Sequence, residues 1–167
     1  MNDRLTKSDL EKIQAEINYR RLELQPQILQ SLKEARAQGD LSENFEYHAA
    51  KRDKARNESR IRYLERMMLT ARVIEDNSAE DAVGMNNTVV VYSEKVSREI
   101  TFRIVTTIRA NPIKGLISIE SPLGKAIYGR RVGERRQVTM ENGDSYFVEI
   151  RSIDKTTDDS GDEISSY

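Results

Sequence analysis

The chain predicts an α+β protein. A long antiparallel helical hairpin over residues 1–75 is followed by a small, mainly antiparallel β domain with one short helix over residues 76–153, and by an acidic tail, residues 154–167. Three observations predict it. Two amphipathic helical runs meet at Gly39-Asp40-Leu41-Ser42-Glu43-Asn44, a turn carrying two carboxylates. From Asp76 the apolar spacing changes from helical to alternating. The composition, 37% hydrophobic and 33% charged, is poorer in apolar residues than one compact domain and suits two helices packed only on each other.

The first helix has its start signal at Thr6-Lys7-Ser8-Asp9: the Thr6 hydroxyl can cap free amides, and Asp9 can reach back to the Thr6 amide. Leu10, Ile13 and Ile17 follow at helical spacing, and Leu24, Ile28, Leu32 and Ala35 resume it. Pro26 lies inside this run and predicts a kink or short break, because it lacks an N–H and its ring crowds the preceding turn. The run stops at Gly39, a left-handed helix end. The second helix begins at Ser42 or Asn44 and carries Tyr47, Ala50, Ile61, Leu64, Met68 and Ala71 on one face. Its stretch 51–60 is unusually polar for a packed seam. A helix of about 27 residues is about 40 Å long, enough to carry an acidic tip into another molecule's recessed site.

In the second half, Val89–Tyr92, Ile100–Val105, Ile117–Glu120, Gln137–Met140 and Tyr146–Ile153 read as strands. Asn142-Gly143 between the last two is a hairpin signal. Ser121-Pro122-Leu123-Gly124-Lys125-Ala126-Ile127 reads as a short helix with proline in its first turn. The tail holds five acidic residues and one basic and predicts disorder.

Composition also excludes classes. With no Cys there are no disulfides, and one His leaves little for a structural zinc site. No apolar run is long enough for a membrane span or signal peptide, so a cytoplasmic protein is expected. The net charge of −1 rules against a general polyanion binder, yet residues 51–66 carry seven basic and three acidic side chains. That leaves one locally basic helix face beside an acidic turn.

The run from Gly39 to Lys51 (GDLSENFEYHAAK), set between two long helices, resembles the bacterial Gre-type transcript cleavage factors, GreA more than GreB. The helix opening from Leu5 to Ile17 agrees with that family. So do Ser121 to Ala126 with Gly129 and Val132-Gly133, and the last strand Tyr146 to Ile150. The resemblance covers residues 4–153. It implies a coiled-coil arm followed by a domain of FKBP-like fold. It also implies a monomeric partner of bacterial RNA polymerase, whose arm enters the secondary channel and stimulates the polymerase's own cleavage of the backtracked RNA 3′ end. Carried over by position, the essential tip acids are Asp40 and Glu43, and the basic positions proposed to contact RNA are Arg36 and Lys51. Arg52 belongs to the same basic face, and Ser121, Pro122 and Leu123 are the candidate polymerase-docking positions.

The chemistry suits the residues. Mg²⁺ takes oxygen ligands and keeps several waters when one or two carboxylates bind it. Two acids at i and i+3 can therefore share a Mg²⁺ supplied within the polymerase active site, but cannot cage one in the isolated protein. That makes the chain a cofactor rather than a nuclease.

Each site residue also has a plainer reading. Asp40 and Glu43 can be capping acids, which composition alone favours and the surrounding match reverses. The basic face, Lys51, Arg52, Lys54, Arg56, Arg60 and Arg62, can be simply solvated. Ser121-Pro122-Leu123 can be only a helix start. Phe45 either packs under the turn or faces outward. Two rival functions remain: a non-cleaving regulator that occupies the channel, and a prolyl isomerase suggested by the FKBP-like half, for which the aromatic count is low.

Overall fold

The computed structural model describes residues 3–39, 43–156 and 158–166. The chain divides into two compact units, Met1–Asp3 with Leu10–Arg72, and Arg4–Asp9 with Val73–Tyr167. The boundary near residue 73 lies close to the change of apolar period. Lys7–Asp9, the first turn of the first helix, is counted with the second unit.

In the first unit, helix α1 (Lys7–Tyr19) runs into a π-helical turn (Arg20–Leu24) and then α2 (Gln25–Arg36). The expected break at Pro26 is absent. Tyr19, Leu24 and Gln25 all keep right-handed helical angles, and the Gln25 N–H donates to Arg20 O, five residues back. The wider turn just ahead of Pro26 accommodates the missing donor and the ring without ending the helix. The return helix is α3 (Phe45–Thr70). Ile13 and Ile17 of α1, Ile28, Leu32 and Ala35 of α2, and Ala50, Ile61, Leu64 and Met67 of α3 are buried.

The polar stretch of α3 explains itself at the π turn. Asn57 and Arg60 are buried, not solvated. Asn57 Nδ2 donates to Arg20 O at 3.2 Å and its Oδ1 accepts from Arg20 Nη1 at 3.0 Å, while Arg60 Nε donates to Glu16 at 2.9 Å. Arg60 therefore leaves the expected basic face, because its charge is spent inside the hairpin.

In the second unit, strand β1 (Arg4–Leu5) accepts from Ile74 N–H at Leu5 O, 2.9 Å, next to the end of β2 (Arg72–Val73). The main sheet has the order β5-β4-β3-β7-β6, from β3 (Thr88–Ser93), β4 (Arg98–Val105), β5 (Leu116–Ser118), β6 (Arg135–Thr139) and β7 (Ser145–Asp154). All pairs are antiparallel except β4 with β5, which is parallel with Arg103 opposite Leu116. The sheet is thus mainly antiparallel, as the alternation suggested, with β5 as its one parallel strand. One face is apolar: Val89, Val91, Phe102, Ile104, Val138, Val148 and Ile150 enclose Ile127 of the short helix α4 (Pro122–Ile127).

Around the start of α1, a buried polar cluster replaces apolar contact. Thr6 and Asp9 form the reciprocal cap read from sequence, Asp9 N–H to Thr6 Oγ1 at 3.1 Å and Thr6 N–H to Asp9 Oδ2 at 2.9 Å. Asp9 is fully buried and also accepts from Thr106 Oγ1 at 2.7 Å and Arg109 Nε at 2.5 Å.

The acidic tail differs from the expected disordered segment. Asp162 is held by Arg103 and by Arg109, whose Nη1 donates to Asp162 Oδ2 at 2.7 Å, and Ser165 N–H donates to Ile108 O at 2.7 Å. Two arginines of the domain supply the countercharge that the tail lacks locally. Burial would raise the Asp162 carboxyl, but hydrogen bonds and attraction from Arg103 and Arg109 outweigh it and hold the group below its ordinary value. A depressed carboxylate stabilises the folded state above its unfolded pKa of about 3.9 and loses that contribution as pH falls through the folded value. The groups around it are Arg103, Arg109, Asp9 behind Arg109, and Lys114 and Glu163 beside it. Amide exchange at Ser165 should therefore stay slow from neutral pH to about 5 and accelerate, after correction for intrinsic rates, only below about 4. Acceleration already between 7 and 5 would contradict this assignment.

Candidate functional site

The candidate site is the turn between α2 and α3. Of the two tip acids, Asp40 lies outside the described residues. Glu43 is exposed, in a bend one residue before the α3 cap. Gly39 sits at φ +107°, where a side chain would be strained, just beyond the end of α2.

Asn44 holds this turn from both sides. Its Oδ1 accepts from Tyr47 N–H at 3.0 Å, capping α3, and its Nδ2 donates at 2.7 Å to Ala35 O at the end of α2, which also accepts from Gln38 N–H at 3.2 Å. The Arg36 guanidinium lies 5.7 Å from the Tyr47 ring centroid, a second link between the two helix ends. Two amide bonds and a ring contact thus frame the residues that carry Glu43.

The basic candidates sort by helical spacing. Lys51 is one turn beyond Tyr47, so Arg36, Tyr47 and Lys51 follow one face, and Arg52 is one turn beyond His48. Arg36, Lys51 and Arg52 are exposed. Phe45 is 88% exposed at the first position of α3, so it does not pack under the turn.

Ser121, Pro122 and Leu123 lie elsewhere, at the start of α4. Ser121 Oγ accepts from Gly124 N–H at 3.1 Å and donates to Ser118 O at 2.6 Å, and Leu123 packs against the sheet core. A Cβ at Gly124 would stand 2.1 Å from Ser118 O, which is why glycine occupies this tight helix start. The helix-start reading therefore accounts for most of what these side chains do.

The sequence places the start of the second helix at Ser42 or Asn44 but gives no sign of the bond from Asn44 to Ala35. A cap has a local signature; a side-chain amide reaching the opposite helix has none. Asn44→Asp should keep the cap and lose only the donor, whereas Asn44→Ala loses both and should cost about 1 kcal/mol more in thermal unfolding. Equal stabilities for the two variants would remove the double role.

The comparisons with known proteins match both halves. A family model described as the N-terminal part of the GreA/GreB transcription elongation factors covers residues 4–73, and one for their C-terminal part covers residues 78–155. Transcription elongation factor GreA of Mesoplasma florum is 40% identical over 152 residues, 89% of this chain and 96% of its own length. The chain belongs to the GreA/GreB family. GreA of Acholeplasma laidlawii is 36% identical over 149 residues, 89% of this chain and 94% of its own. Among solved structures, GreA factor homolog 1 of Thermus thermophilus is 27% identical, covering 92% of this chain and 99% of that one, with a TM-score of 0.42. The C-terminal family model ends at residue 155, within the first two residues of the tail. Among the described residues, no group of three or more His, Cys, Asp or Glu is arranged to hold a metal, and no helix is long and apolar enough to cross a membrane.

Proposed function

We propose that the chain binds bacterial RNA polymerase as a monomer in the cytoplasm, inserts its helical hairpin through the secondary channel, and stimulates the polymerase's own cleavage of nascent RNA in backtracked, arrested complexes. The observation that carries this reading is Glu43, an exposed carboxylate on a turn framed by Asn44 and Tyr47; Asp40 precedes it by three residues in the sequence. A 26-residue helix such as α3 is about 39 Å long, which suits delivery of that turn to a recessed catalytic centre.

The donor chemistry fits a shared Mg²⁺: exposed carboxylates are its preferred protein ligands, and one or two with waters suffice. Asp40 and Glu43 would be the residues that hold it, and the chemistry it would supply is stabilisation of the charge developing on the phosphodiester. The tip's own part is to present the carboxylates of Asp40 and Glu43 and to orient water. Arg36, Lys51 and Arg52 attract the extruded RNA through its phosphates, a contribution that weakens with salt. Ser121, Pro122 and Leu123 are the proposed docking positions on polymerase. The chain thus acts as a cofactor, and the polymerase remains the nuclease.

Phe45 offers a test, since its exposed ring can be exchanged for a photoreactive aromatic with little cost. With benzoylphenylalanine at position 45, crosslinks should reach the RNA 3′ segment in backtracked complexes and fade in complexes that have not backtracked. Crosslinks confined to the outer surface of polymerase would contradict delivery through the channel.

A further inference from the structure

The C-terminal family model ends at residue 155, so most of the tail lies beyond it. Residues 158–166 carry four acidic side chains and no basic one. They begin with a tight turn, Ser160 N–H to Asp158 Oδ1 at 2.9 Å, followed by Asp162 N–H to Asp159 O at 3.0 Å. Asp162 then enters between two guanidinium groups. Arg103 Nη1 donates to Oδ2 at 2.8 Å, Arg103 Nη2 donates to Oδ1, and Arg109 Nη1 adds a second bond to Oδ2.

The receiving side is built without the tail. Arg109 is 1% exposed and is fixed by Asp9 and by Asn86, 2.7 Å from its Nη1. Its Nη2 is buried with no hydrogen-bond partner, so the group has donor capacity that the domain does not use. Arg103 makes no other ion pair among the described residues. Beside them lies a cavity of about 490 Å³, walled by Lys114 and Leu116 on the domain side and by residues 161–166 of the tail. Paired arginine forks select a carboxylate or phosphate. The main-chain bond from Ser165 to Ile108 O and the apolar wall at Leu116 select an extended peptide over a free anion.

We propose that Arg103, Arg109 and the adjoining domain wall form a docking site for an acidic, extended peptide segment, and that residues 158–166 cover it in cis as a built-in competitor, with Asp162 on the two guanidinium groups. The tail leaves β7 at Asp154 and reaches the forks at Asp162, so its effective concentration is on the order of millimolar. With a tail whose own Kd for the open site is about micromolar, a partner segment is thereby weakened about 1,000-fold until the tail is released. The site is open to a partner only when something else holds the tail or weakens its ion pairs.

The test uses the full chain and a fluorescent synthetic peptide with the sequence of residues 156–167. The peptide should bind the Asp162→Ala protein at least about tenfold more tightly than wild type, because the in-cis carboxylate is gone. Adding Arg103→Ala to Asp162→Ala should abolish that gain. Equal binding to wild type and Asp162→Ala, binding to neither, or binding indifferent to Arg103 would each overturn the proposal. Should Asp162→Ala fold poorly, hydrogen exchange on wild type decides. Raising NaCl to about 1 M should speed exchange at residues 158–166 about tenfold, Ser165 included, while β7 amides stay protected. Tail and β7 exchanging together would make the tail a structural part of the domain and defeat the idea. Neither assay involves polymerase, so the outcome is independent of the proposed function.

Discussion

Asp40→Asn and Glu43→Gln should each lower stimulated RNA cleavage by about 100-fold or more, the scale on which one charge-stabilising group acts in a transition state, and leave affinity for polymerase within about threefold. Both changes preserve shape, remove the negative charge and turn one acceptor oxygen into an NH2 donor. Glu43 is exposed, so its loss should disturb the fold by no more than about 1 kcal/mol, the value of an acid near a helix N-terminus. The two acids are proposed to act as a unit, so the double variant should be little worse than either single one. Additive losses would mean that they work separately. Loss of polymerase affinity in step with loss of cleavage would mean that they are docking groups.

The second large effect is on stability. Arg109→Ala should cost about 3–5 kcal/mol, because it leaves Asp9 without its buried countercharge and Asp162 with one of its two. Asp9 would retain Thr6 N–H and Thr106 Oγ1 but lose its only ion pair among the described residues, and Asp162 would keep Arg103 alone. Arg109→Lys should fall between, since an ammonium cannot reproduce bonds that leave Nε toward Asp9 and Nη1 toward Asn86 and Asp162. The measurement is the urea midpoint at neutral pH with an unchanged m-value. A loss below about 1 kcal/mol would show that water replaces the guanidinium at little cost.

Both effects trace to features that differ in how visible they are in the sequence. The hairpin, its acidic turn and the basic residues Arg36, Lys51 and Arg52 are readable because helical periodicity and turn residues are local signals. The Thr6–Asp9 cap is readable for the same reason. Pro26 is a genuine helix breaker by rule, and only the register of the whole helix, widened at Arg20–Leu24, absorbs it. The polar seam at Asn57 and Arg60 looks solvent-facing until Arg20 and Glu16 are brought opposite it. Three-residue β5 carries no mark of its direction, so its parallel pairing with β4 could not be read. The tail reads as disordered because composition is judged in a window, and its countercharges at Arg103 and Arg109 lie 59 and 53 residues away. At the site, the bond from Asn44 to Ala35 spans nine residues and depends on the hairpin closing first.

The most direct test of the central proposal is a cleavage assay on purified backtracked bacterial elongation complexes, with wild type and the Asp40→Asn, Glu43→Gln double variant side by side. The account predicts that wild type alone releases short 3′ RNA fragments and lets synthesis resume, while the double variant binds without releasing them. No release by wild type, with nucleotide addition slowed, would contradict it and make the chain a regulator that occupies the channel.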